Sequence, residues 1–231
     1  RRYLLQFCIV YKYMPYKQTA LVTAGHTREK IDPVRFISNF SSGKQGYAIA
    51  CAFRDAGFDV ILVSGPVNIP APNGIKVINI ETADEMLEAC ITALPVDVAV
   101  CVAAVCDFKP VEISTQKIKK QQDKLETTIK LVQNPDILKT ISNHELRPKI
   151  VIGFAAETEN LLENATNKLN AKNCDIIVAN DVSNGTIFGQ GKTSVSIISR
   201  DKVESLQNTN KDMVAERLLL LTIKILKNRN S

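Results

Sequence analysis

No run of the sequence approaches the roughly 20 consecutive apolar residues that a bilayer-spanning helix needs, so nothing in it reads as a membrane segment. Its six cysteines form no Cys-x-x-Cys pair and no cluster with its two histidines, which fits neither a zinc site nor a disulfide framework. The spacing GxxxxGK[ST] of a P-loop is missing, and so is GxGxxG after the first apolar run. These two absences argue against a P-loop kinase and a dinucleotide-dependent oxidoreductase. The latter would also want an acidic residue closing the second strand, where Ser64 stands instead. There is no internal repeat and no initiating methionine. The apolar core of the first residues, Leu4 to Tyr11, is too short for a signal peptide and lacks a clear small-residue cleavage site.

What remains is an ordinary globular composition. Of 231 residues, 45% are hydrophobic and 23% charged, enough to bury one substantial core. Lysine and arginine number 29 against 24 acidic residues, a formal charge of +5. So mild an excess suits a polyanionic small molecule better than nucleic acid. Cys8, Cys51, Cys90, Cys101, Cys106 and Cys174 lie mostly inside apolar patterns, as expected of buried, reduced thiols in a cytoplasmic protein. Residues 1–18 are basic and aromatic and read as a linker or N-terminal remnant, leaving 19–231 as the domain.

Short β-branched runs alternate with amphipathic stretches, which predicts an α/β fold: a Rossmann-like, doubly wound, mostly parallel sheet with helices on both faces. Strands are expected at Thr19–Ala24, Asp59–Ser64, Lys76–Ile80, Asp97–Ala103, Thr127–Val132, Ile150–Phe154 and Asp175–Ala179. A closing hairpin is expected from Ser194–Ser199 and Lys202–Ser205. Helices are expected at Gly43–Ala56, at Ala83–Leu94 behind a Thr82 cap, from Pro135, and at Asn160–Lys172 and Asp212–Leu226. Glu112–Lys124 reads as an exposed, mobile basic loop, and the segment after Gly25 as a polar loop.

In such sheets ligands bind beyond the carboxyl ends of the strands, and five stretches fall there. After Gly25 a helix opens at Ser41-Ser42-Gly43-Lys44, either a phosphate cradle of backbone N–H groups or a simple Ser-rich cap. Arg35 and Asn39 precede it: a planar fork for an anion and a neutral amide donor, or a surface arginine and a turn asparagine. Ala103-Ala104 leave room for a ligand, and Asp107 can accept its hydrogen bonds or cap a turn. Lys117, Lys119 and Lys120 can close over phosphates or stay solvated. Phe154 can stack on a base or fill the core. Lys168 and Lys172, one helical turn apart, share a face that can meet phosphates.

Taken in order, TAGHTREKIDPVRFISNFSSGKQG, AAVCDFKP, KIKK, NPDIL, GFAAET and NK…DIIVAND resemble the motifs of bacterial phosphopantothenoylcysteine synthetases, from about Leu21 to the last helix. The resemblance implies a cytoplasmic homodimer that couples 4′-phosphopantothenate to L-cysteine through an acyl-cytidylate, using CTP and Mg²⁺ and releasing pyrophosphate and CMP. The KIKK context favours CTP over ATP. It implies that Asn39, Lys117 and Arg35 are catalytic, with Arg35 reaching in from the neighbouring subunit. Asn39, Arg35, Ala103, Ala104 and Asp107 would hold the substrate. Ser41, Gly43, Gly46, Cys101, Val102, Ala103, Asp107, Lys117, Asn134, Pro135, Asp136, Ile137, Phe154, Lys168, Lys172 and Asn180 would hold the nucleotide. No metal ligands are implied, no flavin is expected in this chain, and a phosphopantothenoylcysteine decarboxylase would be fused or separate. His26 stands where many relatives have glycine, and Cys106 replaces a usual small residue as a neutral packing change. An ATP-using version of the same ligase and a non-catalytic nucleotide-binding dimerisation module are the alternatives.

Overall fold

The computed structural model describes residues 17–120, 126–157, 159–181 and 193–229. Strand β1 (Thr19–Ala24) leads to a hairpin of β2 (Arg28–Asp32) and β3 (Arg35–Ser38), then to helix α1 (Lys44–Asp55). Next come β4 (Asp59–Ser64), β5 (Lys76–Asn79), α2 (Ala83–Thr92) and β6 (Val98–Cys101). An antiparallel pair, β7 (Phe108–Pro110) and β8 (Leu131–Gln133), precedes α3 (Ile137–Ser142) and β9 (Ile150–Glu157). The chain finishes through α4 (Leu161–Lys172), β10 (Ile176–Asp181), β11 (Thr193–Ser199), β12 (Val203–Thr209) and α5 (Lys211–Arg229).

The main sheet runs β12-β11-β10-β9-β6-β1-β4-β5. Its strands from β10 to β5 are parallel, while β11 and β12 add antiparallel at one edge. Successive side chains of a strand point to opposite faces, and β1 shows the result. Ala20, Val22 and Ala24 pack on one face with Tyr47, Ile49 and Phe53 of α1 and Leu218 and Ile223 of α5. Leu21 packs on the other face, in the layer built by Met86 and Cys90 of α2, Ile141 of α3, and Ala165 and Leu169 of α4. Central strands buried on both faces require apolar runs such as VAVC in β6 and IVI in β9. The doubly wound expectation therefore holds.

The expected bounds of β1 and β4 are met, and Thr82 caps α2 through a reciprocal box with Glu85. Two features differ. The segment after Gly25 is no loop: β2 and β3 pair antiparallel across the Asp32-Pro33-Val34-Arg35 turn. Its charged residues hid the strand alternation, and the turn is held by the Asp32 carboxylate, which accepts the Val34 N–H at 3.0 Å. The expected strand Thr127–Val132 is confined to Leu131–Gln133, where β7 supplies a partner. Residues 115–120 of the basic loop are exposed as expected, whereas 121–124 and residues 1–16, including Cys8, lie outside the described residues.

Candidate functional site

From β1 the chain moves outward to β4 and β5, then returns past β1 to β6, so a crevice opens between the carboxyl ends of β1 and β6. There lies a cleft of about 730 Å³. Gly25 turns the chain at its floor with φ 75°, and a Cβ there would sit 2.8 Å from the Gly65 carbonyl oxygen. Only glycine combines that conformation with that approach.

One wall is the amino end of α1. Gly43, in the left-handed region at φ 73°, occupies the cap position without any side-chain cap bond, and the first turn of α1 holds no acidic residue. The Ser41 hydroxyl accepts the Gly43 N–H at 3.3 Å. The first N–H groups of the helix are thus unspent on side chains and carry the positive end of its dipole. Gly46 lets α1 sit directly on β1, since a Cβ would lie 2.6 Å from that of Ala24.

The facing wall, residues 101–107, is stitched to β1 and its hairpin. The Thr23 hydroxyl accepts the N–H groups of Val102 and Ala103 at 3.0 and 3.1 Å. Thr27 accepts that of Cys106 at 3.0 Å, and Ala104 N–H donates to the Gly25 carbonyl at 2.8 Å. Asn39 Nδ2 donates to the Val105 carbonyl and Asn134 Nδ2 to that of Cys106, both at 2.9 Å. Asn134 is buried with its Oδ1 unpartnered, an acceptor that a donor in the cleft would satisfy. His26 Nδ1 lies 3.2 Å from the Ser41 carbonyl oxygen, tying the first turn to the cradle. The Cys106 thiol is buried and donates weakly to Thr27 and Ile37 carbonyls, in keeping with a packing role.

The third wall is Phe154 from β9, Asn180 from β10, and Pro135 to Ile137 entering α3, with Lys168 and Lys172 of α4. The Asp136 carboxylate caps α3 by accepting the Lys139 N–H at 2.9 Å and forms an ion pair with Lys172. Phe154 packs against the core while lining the cleft.

The lining therefore brings together Asn39, Ser41, Gly43, Gly46, Cys101, Val102, Ala103, Ala104, Asp107, Asn134, Pro135, Asp136, Ile137, Phe154, Lys168, Lys172 and Asn180. It does not include Arg35 or Lys117, which lie outside the cleft of their own chain. Arg35 instead pairs with Asp32, and its hydrogen bond holds that carboxyl well below the usual carboxylate range. Lys117 is exposed on its loop. Sequence reasoning missed the threonine hydroxyls of Thr23 and Thr27, and also Lys44 and Lys211. Lys44 adjoins the Ser-Gly cradle and could have been found there. Lys211 reaches the cleft from the distant start of α5, whose placement is fixed by Gln45 Nε2 donating to the Lys211 carbonyl at 3.1 Å. Burial lowers the Lys211 pKa, and the like charge of Lys44 adds to the shift.

Among the described residues the cleft carries four lysines, Lys44, Lys168, Lys172 and Lys211, against two carboxylates, Asp107 and Asp136. That balance favours a polyanion. No group of three or more His, Cys, Asp or Glu among the described residues is placed to hold a metal ion. Burial raises the pKa of Cys101 well above the ordinary thiol value, so that group on the cleft wall remains a neutral filler. No helix among the described residues is long and apolar enough to cross a membrane.

Residues 16–225 match the family model described as the DNA/pantothenate metabolism flavoprotein C-terminal domain. The chain is 42% identical over 199 residues to the coenzyme A biosynthesis bifunctional protein CoaBC of Haemophilus influenzae, covering 86% of this chain and 49% of that protein. It thus spans about half the length of the curated relatives it matches. A crystal structure of the C-terminal domain of CoaBC is 40% identical, with a TM-score of 0.77 over 91% of this chain and 96% of that one. Cab2 in complex with phosphopantothenate-cysteine, 18% identical, has a TM-score of 0.71 over 100% of this chain and 94% of that one, and shares the fold.

Proposed function

The chain belongs to the DNA/pantothenate metabolism flavoprotein C-terminal domain family, and from that membership and its cleft we propose that it is a CTP-dependent phosphopantothenate–cysteine ligase of coenzyme A biosynthesis. A carboxylate oxygen of 4′-phosphopantothenate attacks the α-phosphorus of CTP and pyrophosphate leaves. The amine of L-cysteine then attacks the acyl carbon of the acyl-cytidylate, and CMP departs with the oxygen that came from the carboxylate. The amine loses its proton and an amide remains.

One observation carries the reading: the cradle at α1 and the wall 101–107 are hydrogen-bonded into a single lysine-rich cleft at the topological switch of the sheet. The N–H groups behind Ser41 and Gly43 receive nucleotide phosphates, with Lys168 and Lys172 opposite. Phe154, Asn134 and Asn180 border the base and ribose. Asn39 spends one amide hydrogen on Val105, and its other donor orients the acyl group. Ala103 and Ala104 admit the pantothenate chain, whose hydroxyl and amide groups meet Asp107. Fixing the two reactants in line supplies most of the acceleration, about 7–11 kcal/mol where alignment is complete. Magnesium on the phosphates supplies charge neutralisation when bound.

Arg35 and Lys117 enter from outside this cleft, which a homodimer explains. Val34 and Phe36 on the β2–β3 hairpin, and Phe108, Leu131 and Val132 on the β7–β8 pair, are large apolar side chains left exposed. Pairing these faces in a second copy would bury them and bring the partner's Arg35 to the cleft. A phosphopantothenoylcysteine decarboxylase, fused or separate, would consume the product.

Release of pyrophosphate and of the nucleoside monophosphate, CMP from CTP or AMP from ATP, in the presence of 4′-phosphopantothenate and Mg²⁺, with and without cysteine, tests the reading. CTP-dependent release, with ligated product only when cysteine is present, is the expected result. Equal or faster release with ATP would overturn the CTP assignment and leave the ligase. No release with any nucleotide from folded protein would leave the alternative of a non-catalytic binding module.

A further inference from the structure

The peptide that follows Lys117 is gripped from two sides. Asp32 Oδ2 accepts the N–H of Ile118 at 3.1 Å, and Arg35 Nη2 donates to the carbonyl of the same residue at 3.0 Å. The two gripping side chains are joined in turn, Arg35 Nε donating to Asp32 Oδ2 at 3.0 Å. Four residues before Ile118, the Ser114 N–H donates to the Ile31 carbonyl at 3.0 Å. The basic loop is therefore docked on the tip of the β2–β3 hairpin immediately beside its central lysine.

Asp32 is built for this and for nothing at the protein surface. Its side chain is 0% exposed, whereas that of Arg35 is 49% exposed. Its two oxygens do different work: Oδ1 closes the hairpin turn on the Val34 N–H, and Oδ2 collects the Arg35 guanidinium and the Ile118 amide. Such charge-assisted bonds are shorter and stronger than neutral ones.

We propose that Asp32 is a positioning residue of the ligase, holding the loop through Ile118 so that Lys117 and Arg35 are presented to the reactants as one rigid unit. This rests on the reading of Lys117 as the catalytic loop lysine. Asp32 itself touches no reactant. Without the clamp, the loop has to be ordered anew in each turnover, and the entropy of fixing its residues returns to the barrier. The Arg35 hydrogen bond keeps the Asp32 carboxyl ionised throughout the neutral range.

The substitutions follow from the two-oxygen arrangement. Asp32→Asn has one acceptor for both tasks. Asp32→Ser retains an acceptor for Val34, and so the turn, but cannot reach the loop. Amide hydrogen exchange at Ile118 reads the clamp, and steady-state pyrophosphate release reads its consequence. For both variants we expect Ile118 to exchange, and kcat to fall, by about tenfold or more, the scale of one lost charged hydrogen bond. The KM for CTP is expected to stay near that of the parent protein. Lys117→Gln should abolish turnover while leaving Ile118 protected, which separates the lysine from its anchor. Unchanged exchange at Ile118 in Asp32→Ser, or fast exchange with an unchanged kcat, would overturn the proposal. A fully active Lys117→Gln protein would overturn the role of the lysine and with it the purpose of the clamp, even where Ile118 exchange shows the bonds to exist.

Discussion

Replacing Gly46 by alanine couples the stability of the sheet to the geometry of the cleft, and its cost can be worked from the contacts. The added Cβ would lie 2.6 Å from the Ala24 Cβ and 3.0 Å from the Thr23 carbonyl oxygen. Carbon atoms pack best at about 3.5–4.0 Å, so α1 has to withdraw from β1 by about 1 Å. Neither neighbour is the flexible end of a long side chain, so strain of about 1–3 kcal/mol is expected. Alanine regains about 1 kcal/mol in helix propensity over glycine. The balance is a loss of up to about 2 kcal/mol, visible as a lower urea midpoint at an unchanged slope. The same withdrawal carries the Ser41–Gly43 cradle away from the wall at Val102. A misplacement near 1 Å can cost about 100-fold in rate, so kcat/KM for the nucleotide should fall further than stability alone would require. A Gly46→Ala protein with an equal or higher urea midpoint and unaltered kcat/KM would refute the argument that this glycine seats the cradle on the strand.

Lys211→Met removes a partly buried ammonium that has Lys44 as its charged neighbour, so the KM for CTP should rise by about tenfold, the scale of one charged hydrogen bond. Urea stability should hold or improve, because an unfavourably buried charge is gone; an unchanged KM would remove Lys211 from the phosphate site. At Asp97, burial opposes ionisation, but the Lys149 and Thr19 bonds outweigh it and hold the carboxyl below its usual value. A depressed carboxyl stabilises the fold above its unfolded value of about 4 and loses that contribution as pH falls through the folded one. The urea midpoint should therefore drop more steeply below that pH for the parent protein than for Asp97→Asn, and parallel curves would contradict the assignment. Burial pushes Cys90 up to about 12 and Cys174 up to about 11. At pH 7–8 both should react with an aromatic disulfide reagent only after unfolding, so labelling of either in the folded protein would show that the packing around it opens.

The parallel core was legible because its physics is local: β1, β4 and β6 are short apolar runs, and the turn at Gly25 and the helix cap at Thr82 carry their own chemistry. The cleft was legible to the extent that its residues directly follow strands. The hairpin β2–β3 was hidden because REKID and RFIS owe their pairing to each other and to a buried aspartate, and no apolar alternation marks them. Thr23 was hidden for a different reason. Its hydroxyl serves N–H groups at Val102 and Ala103, nearly eighty positions away, and only the adjacency of β1 and β6 makes that bond possible. Lys211 likewise becomes a cleft residue only once α5 lies against α1. Motif order picked out residues that line one cleft, while the further hydroxyls and lysines of that cleft depended on the tertiary fold.

The most direct test of the ligase account follows one oxygen atom. With 4′-phosphopantothenate carrying heavy oxygen in its carboxylate, and with CTP, Mg²⁺ and cysteine, the account predicts one labelled oxygen in the CMP released and none in the pyrophosphate. Label in the pyrophosphate, or amide formation with unlabelled CMP, would contradict attack of the carboxylate on the α-phosphate and with it the acyl-cytidylate.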